Sequence, residues 1–72
     1  MIYNIDIYGM PNGKAVDKLM SELSQINFNS ETNVYVKVDK AGNAIQKVVE
    51  TLQYNKYIFQ ISNDKILING KA

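Results

Sequence analysis

The residues best suited to chemistry lie in one loop, which reads YGMPNGKA from Tyr8 to Ala15. Two glycines, a proline and a lysine lie between an alternating apolar stretch and a helical pattern. A phosphate-binding loop has this placement and reads G-x-x-x-x-G-K-[ST]. This loop is one residue shorter, and Ala15 stands where a hydroxyl would ligate magnesium. We expect no nucleotide hydrolysis, and at most an anion-binding surface at Asn12, Gly13 and Lys14, where the helix begins.

Missing residue types exclude further chemistry. The chain has no cysteine and no histidine, so thiolate nucleophiles, disulfides, the usual general base and the commonest metal ligand are absent. Asp6 and Asp39 are the candidates for an acid–base pair of carboxylates, but aspartates at strand ends are usually solvated surface. We predict a protein that is not an enzyme and that binds neither a metal nor a cofactor.

The charge composition argues against specific DNA recognition. All eight basic residues are lysine, and the formal net charge is +1, whereas arginine supplies the bidentate contacts that recognise guanine. Tyr8 and Tyr35 could stack on bases, as aromatic residues do on the sheets of single-strand binders. Because acidic residues are interspersed among the lysines, nucleic-acid binding is expected to be weak and salt-sensitive, and it stays an alternative.

Length and hydropathy indicate one small globular domain, residues 1–72. A chain of this size buries roughly 60% of its unfolded surface. No apolar run approaches the ~20 residues needed to cross a bilayer. Asn4 and Asp6 interrupt the first apolar stretch too early for a signal peptide. We therefore expect a cytoplasmic protein that makes no membrane contact.

Alternating apolar and polar residues predict four strands. The first two are Ile2–Tyr8 and Val34–Asp39, in which β-branched and aromatic residues recur with period two. The last two, Lys56–Ser62 and Lys65–Gly70, are separated only by Asn63 and Asp64. Such a short turn predicts an antiparallel hairpin.

Two amphipathic helices are predicted between these strands, because apolar residues recur there at i, i+3 and i+4. Asn12 is the predicted N-cap of the first helix, and residues 40–42 are the predicted turn before the second. The predicted buried positions are Val16, Leu19, Met20, Leu23 and Ile26 in the first helix, and Ala44, Ile45, Val48, Val49 and Leu52 in the second.

The element order is therefore β-α-β-α-β-β. Right-handed crossovers place both helices on one face of the sheet, which predicts an α+β two-layer sandwich with a four-stranded mixed sheet. The other face is largely polar but carries Tyr35, Ile58 and Leu67. Two interpretations are open for these three residues: scattered apolar side chains on an exposed face, or an apolar patch that contacts a protein partner or a second copy.

The first loop and the element order resemble the TusA/SirA-like sulfurtransferases, which begin Leu-Asp-x-x-Gly-Leu-x-Cys-Pro-x-Pro. The stretch IDIYGM (5–10) is similar to the start of that motif, and in the same register Asn12 takes the place of the cysteine, Gly13 and Ala15 those of the two prolines. The resemblance extends over essentially the whole chain. In that family the cysteine carries sulfur as a persulfide. The resemblance therefore implies a carrier fold without its activity, acting through protein contacts or regulation.

A second resemblance is to the Alba-like proteins, including stage V sporulation protein S. The stretch GNAIQKVV (42–49) is similar to the Gly-x-Ala-Ile-x-Lys-Ala-Val that opens their second helix. Those proteins bind DNA or RNA, usually as dimers. The near-zero net charge, the lack of arginine and the short hairpin depart from their pattern. This second resemblance implies DNA or RNA binding as the alternative function.

Overall fold

The computed structural model describes residues 1–39, 42 and 44–72. Its elements in chain order are β1 (Ile2–Asp6), α1 (Asn12–Leu23), β2 (Asn33–Lys37), α2 (Ala44–Tyr54), β3 (Tyr57–Ser62) and β4 (Lys65–Lys71). The predicted β-α-β-α-β-β order and α+β class are confirmed. The predicted turn at 40–42 lies largely outside the described residues.

The sheet has the spatial order β1-β2-β4-β3. Strands β1 and β2 are parallel, whereas β4 runs antiparallel to both of its neighbours, β2 and β3. The predicted four-stranded mixed sheet is thus confirmed. The last strand of the chain lies inside the sheet, so β1 and β3 are its two edges.

The core lies between the helices and one face of the sheet. Alternate strand residues supply the sheet side, and one stripe of each helix supplies the other, as expected for amphipathic elements. Burying each of the larger side chains contributes about 1.5–3 kcal/mol. The buried aliphatic residues are Ile5, Ile7, Ala15, Leu19, Leu23, Val34, Val36, Val38, Val48, Leu52, Ile66 and Ile68.

Strand β1 is shorter than predicted because the chain turns immediately after it. The Ile7 N–H still donates to the Lys37 carbonyl at 3.1 Å, but the Tyr8 N–H donates to Asp6 Oδ1 at 3.0 Å and the Met10 N–H donates back to the Ile7 carbonyl at 3.2 Å. Gly9 has φ +76°, a left-handed conformation that glycine adopts without steric cost. Tyr8 therefore lies in a turn instead of the strand.

The predicted cap at Asn12 was wrong, because helix α1 begins at that residue. Pro11 holds the cap position with φ −60° and ψ 154°, and no side chain makes a cap hydrogen bond. The Pro11 carbonyl instead accepts the first helical hydrogen bond, from the Ala15 N–H at 2.8 Å. Proline provides a suitable extended conformation here but has no side-chain acceptor.

The buried stripe of α1 is rotated from the predicted one. Ala15, Leu19 and Leu23 are fully buried, whereas Val16 and Met20 lie at the margins of the stripe and are half-buried. Alanine carries little hydrophobic signal, so its burial is not evident from the sequence. The predicted Ile26 also packs against the core, but beyond the end of the helix.

Among the described residues, neither helix has the length and apolar character that crossing a membrane requires.

Candidate functional site

A small concavity lies at the carboxyl ends of the two parallel strands, β1 and β2. This is where open α/β sheets usually bind ligands. Its volume is about 240 Å³, which is below the usual 300–1,000 Å³ of a small-molecule site. It is lined by Ile7, Gly9, Met10 and Asn12 after β1, and by Val38, Asp39, Gly42, Ala44 and Ile45 after β2. We call it the loop concavity.

Of the three predicted anion-binding residues, the loop concavity includes only Asn12. Gly13 and Lys14 are exposed and do not line it. Asn12 is the first residue of α1, and Ala44, also a lining residue, is the first residue of α2. Two helices thus begin beside this space, and their first N–H groups have no partner within their own helices.

In the register of the TusA/SirA-like resemblance, a neutral amide, Asn12, stands where that motif has its cysteine, at the start of a helix. A thiolate there would be favoured by the positive end of the helix dipole, but the Asn12 side chain is not a nucleophile. In the same register the second proline of the motif falls at Ala15. This residue is fully buried, and its N–H makes the first hydrogen bond of the helix. Proline could not make that bond.

The acidic residues do not form a catalytic or metal-binding group in the part of the chain that the structure describes. Asp6 Oδ1 accepts the Tyr8 N–H, and Asp39 lines the loop concavity. Within the described ranges, no three Asp, Glu, His or Cys side chains cluster closely enough to hold a metal ion. Glu22 Oε2 is buried without a hydrogen-bond partner, but a single carboxylate provides no acid–base pair.

The face of the sheet opposite the helices, which we call the open face, carries the three predicted contact residues at two places. Tyr35 and Leu67 are directly opposite each other on β2 and β4, and both are half-buried. Gln60 lies on the other side of Leu67. Ile58 is opposite Gly70, beyond a register irregularity between Ile58 and Phe59, and is 53% exposed. Tyr35 and Leu67 form one contact pair, and Ile58 lies apart from them near the start of β3.

A row of charged residues crosses the open face at one end. Asp6 is opposite Lys37 on β1 and β2, and Lys37 is opposite Lys65 on β4. Like charges directly opposite each other are unfavourable, so Lys37 and Lys65 favour an anionic neighbour. The Lys37 Nζ lies 5.6 Å from the centre of the Tyr8 ring, within the range of a cation–π contact.

The outer side of β3, which we call the β3 edge, exposes two isoleucines, Ile58 and Ile61, in one strand. No described strand pairs with it. The strand reads YIFQIS, without a charged residue or a proline, and Ile61, although directed to the helix side with its partner Ile66, is 49% exposed. Sequence reasoning missed the β3 edge, because the same pattern would suit a central strand and only the strand order reveals the edge.

No protein-family model, no curated protein and no solved structure matches this chain. Two regions therefore stand as candidates on geometry alone: the loop concavity, and the β3 edge with the adjoining open face.

Proposed function

We propose that this protein is a non-catalytic, cytoplasmic protein-binding domain that contacts its partners through the β3 edge and the adjoining open face. One observation carries the proposal: β3 is an uncharged edge strand on which Ile58 and Ile61 are each about half exposed. An edge strand presents unpaired N–H and C=O groups, and proteins usually protect such strands with charges or proline. Here the strand itself has neither.

Strand addition is the binding mode that this geometry favours. An extended segment that pairs with β3 would obtain its affinity from main-chain hydrogen bonds and its specificity from alternate side chains. Ile58 and Gln60 would face the segment on the open face, whereas Phe59 and Ile61 would do so on the helix side. On the open face, Leu67 lies one strand in from β3 and Tyr35 lies two strands in, so a partner that folds over the open face would reach both.

The loop concavity supports a role without catalysis. Where the resembling family has its cysteine, Asn12 offers an amide, and the described residues that line the concavity include a single carboxylate, Asp39, and no thiol, hydroxyl or amine. A sulfur-carrier-like domain without its thiol would keep the surfaces by which such proteins dock. This resemblance supports binding or regulation as the function, and the choice of the β3 edge as the contact surface rests on its position and exposure.

Site-specific photocrosslinking in the cells that make the protein tests this proposal. The substitution Ile58→p-benzoylphenylalanine places the crosslinker at the β3 edge. Gln53→p-benzoylphenylalanine, on an exposed part of α2, is the matched control. We expect discrete products heavier than the 8.2 kDa chain from position 58 and few from position 53. Equal yields from the two positions, or no product from position 58, would contradict the proposal.

A second candidate function is the binding of single-stranded nucleic acid on the open face. Tyr35 is a sheet-face aromatic residue, and Lys37 and Lys65 lie opposite each other in the next outward row of the same face. Aromatic stacking together with lysine contacts to phosphate is how many single-strand binders work. The affinity for an oligonucleotide should then fall linearly, on logarithmic scales, with salt concentration. Unchanged binding by Tyr35→Ala, or no binding at low salt, would dispose of this candidate.

A further inference from the structure

Resting on the proposed function, we infer that the protein which occupies the β3 edge is a second copy of this chain. Strand β3 pairs with β3 of the other copy in antiparallel orientation, across a two-fold axis at Gln60. Two four-stranded sheets thereby become one continuous sheet of eight strands. Backbone geometry, side-chain exposure and charge pattern each support this arrangement.

The backbone groups needed for pairing can be assigned from the hairpin. A β-turn joins the carbonyl of its first residue to the N–H of its fourth, so Ser62 and its opposite residue Lys65 form a hydrogen-bonded pair. In an antiparallel ladder such pairs alternate with pairs that are not hydrogen-bonded. Gln60 therefore bonds to β4, whereas the N–H and C=O groups of Phe59 and Ile61 point outward from the β3 edge.

A two-fold axis at Gln60 uses those outward groups fully. Phe59 of each copy then lies opposite Ile61 of the other. The backbone N–H and C=O groups of both residues point outward from β3, toward the other copy. Each such pair exchanges two hydrogen bonds. At the register irregularity between Ile58 and Phe59, the extra residue is Asn69 on β4, so the irregularity lies at the beginning of β3 and on its inner side. The proposed pairing is centred on Gln60, and its two hydrogen-bonded residues, Phe59 and Ile61, lie in the regular part of the strand.

The side chains in this register cover each other's exposed surface. Phe59 packs against the core but is only half-buried, and Ile61 is 49% exposed. Both lie on the helix side of the sheet, so pairing places the Phe59 ring of one copy beside Ile61 of the other. Cross-strand pairs of an aromatic with a β-branched residue are among the favourable ones. The arrangement occurs twice, once on each side of the axis.

Charges at the two ends of β3 select the antiparallel orientation. Lys56 precedes the strand and Asp64 lies in the turn that follows it, and both are exposed. With the axis at Gln60, Lys56 of each copy meets Asp64 of the other. A parallel pairing would instead place Lys56 beside Lys56 and Asp64 beside Asp64. Opposite charges placed in this way contribute to orientation and register.

The size of the contact predicts a weak dimer. A six-residue strand is about 20 Å long, and a stable interface usually buries about 800 Å² on each partner. The described chain exposes 4761 Å², so such an interface would cover roughly one sixth of its surface, more than one strand provides. We therefore expect a dissociation constant of about 10 µM to 1 mM.

Exchanging the charges at positions 56 and 64 tests both the identity of the partner and the orientation of the two strands. Dimerisation is measured by sedimentation velocity over a range of protein concentrations. Lys56→Asp brings two aspartates together at each end of the contact, and Asp64→Lys brings two lysines together. Each single variant should dimerise about tenfold more weakly. The double variant Lys56→Asp/Asp64→Lys restores opposite charges and should dimerise as the wild type does. Only an antiparallel contact between identical strands predicts this rescue.

Variants at the two edges supply the controls. Ile61→Lys places a charge in the middle of the β3 edge and should abolish dimerisation, whereas Ile2→Lys, at a 67% exposed position on the opposite edge, should leave it unchanged. Thermal unfolding at low protein concentration shows that each variant folds. A wild type that remains monomeric up to about 1 mM, or a double variant as weak as the single ones, overturns the inference.

The photocrosslinking products separate this inference from the proposed function. A product of twice the chain mass from position 58 agrees with both. Products heavier than the single chain, none of them of twice its mass, would support protein binding at the β3 edge and overturn the second-copy inference. The absence of any product would contradict both.

Discussion

The two edges of the sheet are built very differently. At β1, the Ile7 N–H donates to the Lys37 carbonyl, and the Met1 carbonyl accepts the N–H of Asn33. The backbone N–H and C=O groups of the odd-numbered residues therefore point toward β2. The backbone groups of the even-numbered residues point outward from the sheet. One of them, the Asp6 carbonyl, accepts a hydrogen bond from the Lys18 Nζ at 3.0 Å. At β3, no described side chain bonds to an outward backbone group of Phe59 or Ile61.

The contrast extends to side chains. Strand β1 carries the charged Asp6, and Lys18 lies over its end, which are two common protections of an edge. Both edge strands expose isoleucine, Ile2 on β1 and Ile58 and Ile61 on β3. Strand β3 differs in having its charges only outside the strand, at Lys56 and Asp64. Strand β1 is thus protected at its Asp6 end, whereas the middle of β3 has no such protection among the described side chains. We therefore expect strand addition at β3 in preference to β1.

Proline substitutions along β3 give the largest expected effect and test which backbone groups are free. Gln60→Pro removes an N–H that bonds to β4 and should lower the free energy of unfolding by about 3 kcal/mol or more. Ile61→Pro removes an outward N–H and should cost about 1 kcal/mol, while abolishing dimerisation. Urea unfolding of both variants checks this. Equal costs would show that the outward and inward groups are assigned wrongly.

Removing the lysine at β1 should make the two edges more alike. Lys18→Met deletes the hydrogen bond to the Asp6 carbonyl but keeps the apolar part of the side chain, and should lower the free energy of unfolding by about 0.5–1 kcal/mol. It should also increase self-association at high protein concentration, because a second edge becomes available. Lys14→Met, which removes an exposed lysine elsewhere on α1, is the control. If both variants behave alike, Lys18 does not protect β1.

The smallest effect is expected at Gly70, on which Ile58 rests. A Cβ at this position would lie 3.3 Å from the Ile58 Cδ1, so Gly70→Ala displaces a flexible side chain by a few tenths of an ångström. Stability should change by less than about 1 kcal/mol. Because Phe59 and Ile61 are untouched, dimerisation measured by sedimentation should stay as in the wild type. A lost dimer would indicate a contact centred nearer to Ile58 than to Gln60.

Much of the fold is predictable from the sequence because each element carries a clear periodicity. The element order, the hairpin turn at Asn63 and Asp64 and most of the core follow from it. The ends of the helices and strands are harder to predict from the sequence. Lys56 has φ +62° and so cannot continue a strand, although its residue type gives no indication of this. Ala15 shows a similar limit, because its burial depends on how closely α1 packs and not on its own hydrophobicity.

The candidate site was harder to predict, for a topological reason. Asn12 could be placed beside the loop concavity because it follows the first strand. The β3 edge could not be recognised, since an apolar strand such as YIFQIS is equally suited to the middle of a sheet. Only the insertion of β4 between β2 and β3 leaves it outermost, and this order depends on long-range pairing that local pattern does not determine.

A backbone hydrogen bond connects the lining of the loop concavity with the turn that follows β3. The Val38 N–H donates to the Asp64 carbonyl at 2.9 Å, and Val38 lines the concavity while Asp64 lies in the turn that the second copy would contact. If a molecule displaced Val38 on binding and the Asp64 turn moved with it, the affinity between copies would change. By thermodynamic reciprocity, association of two copies would alter the affinity for that molecule by the same factor.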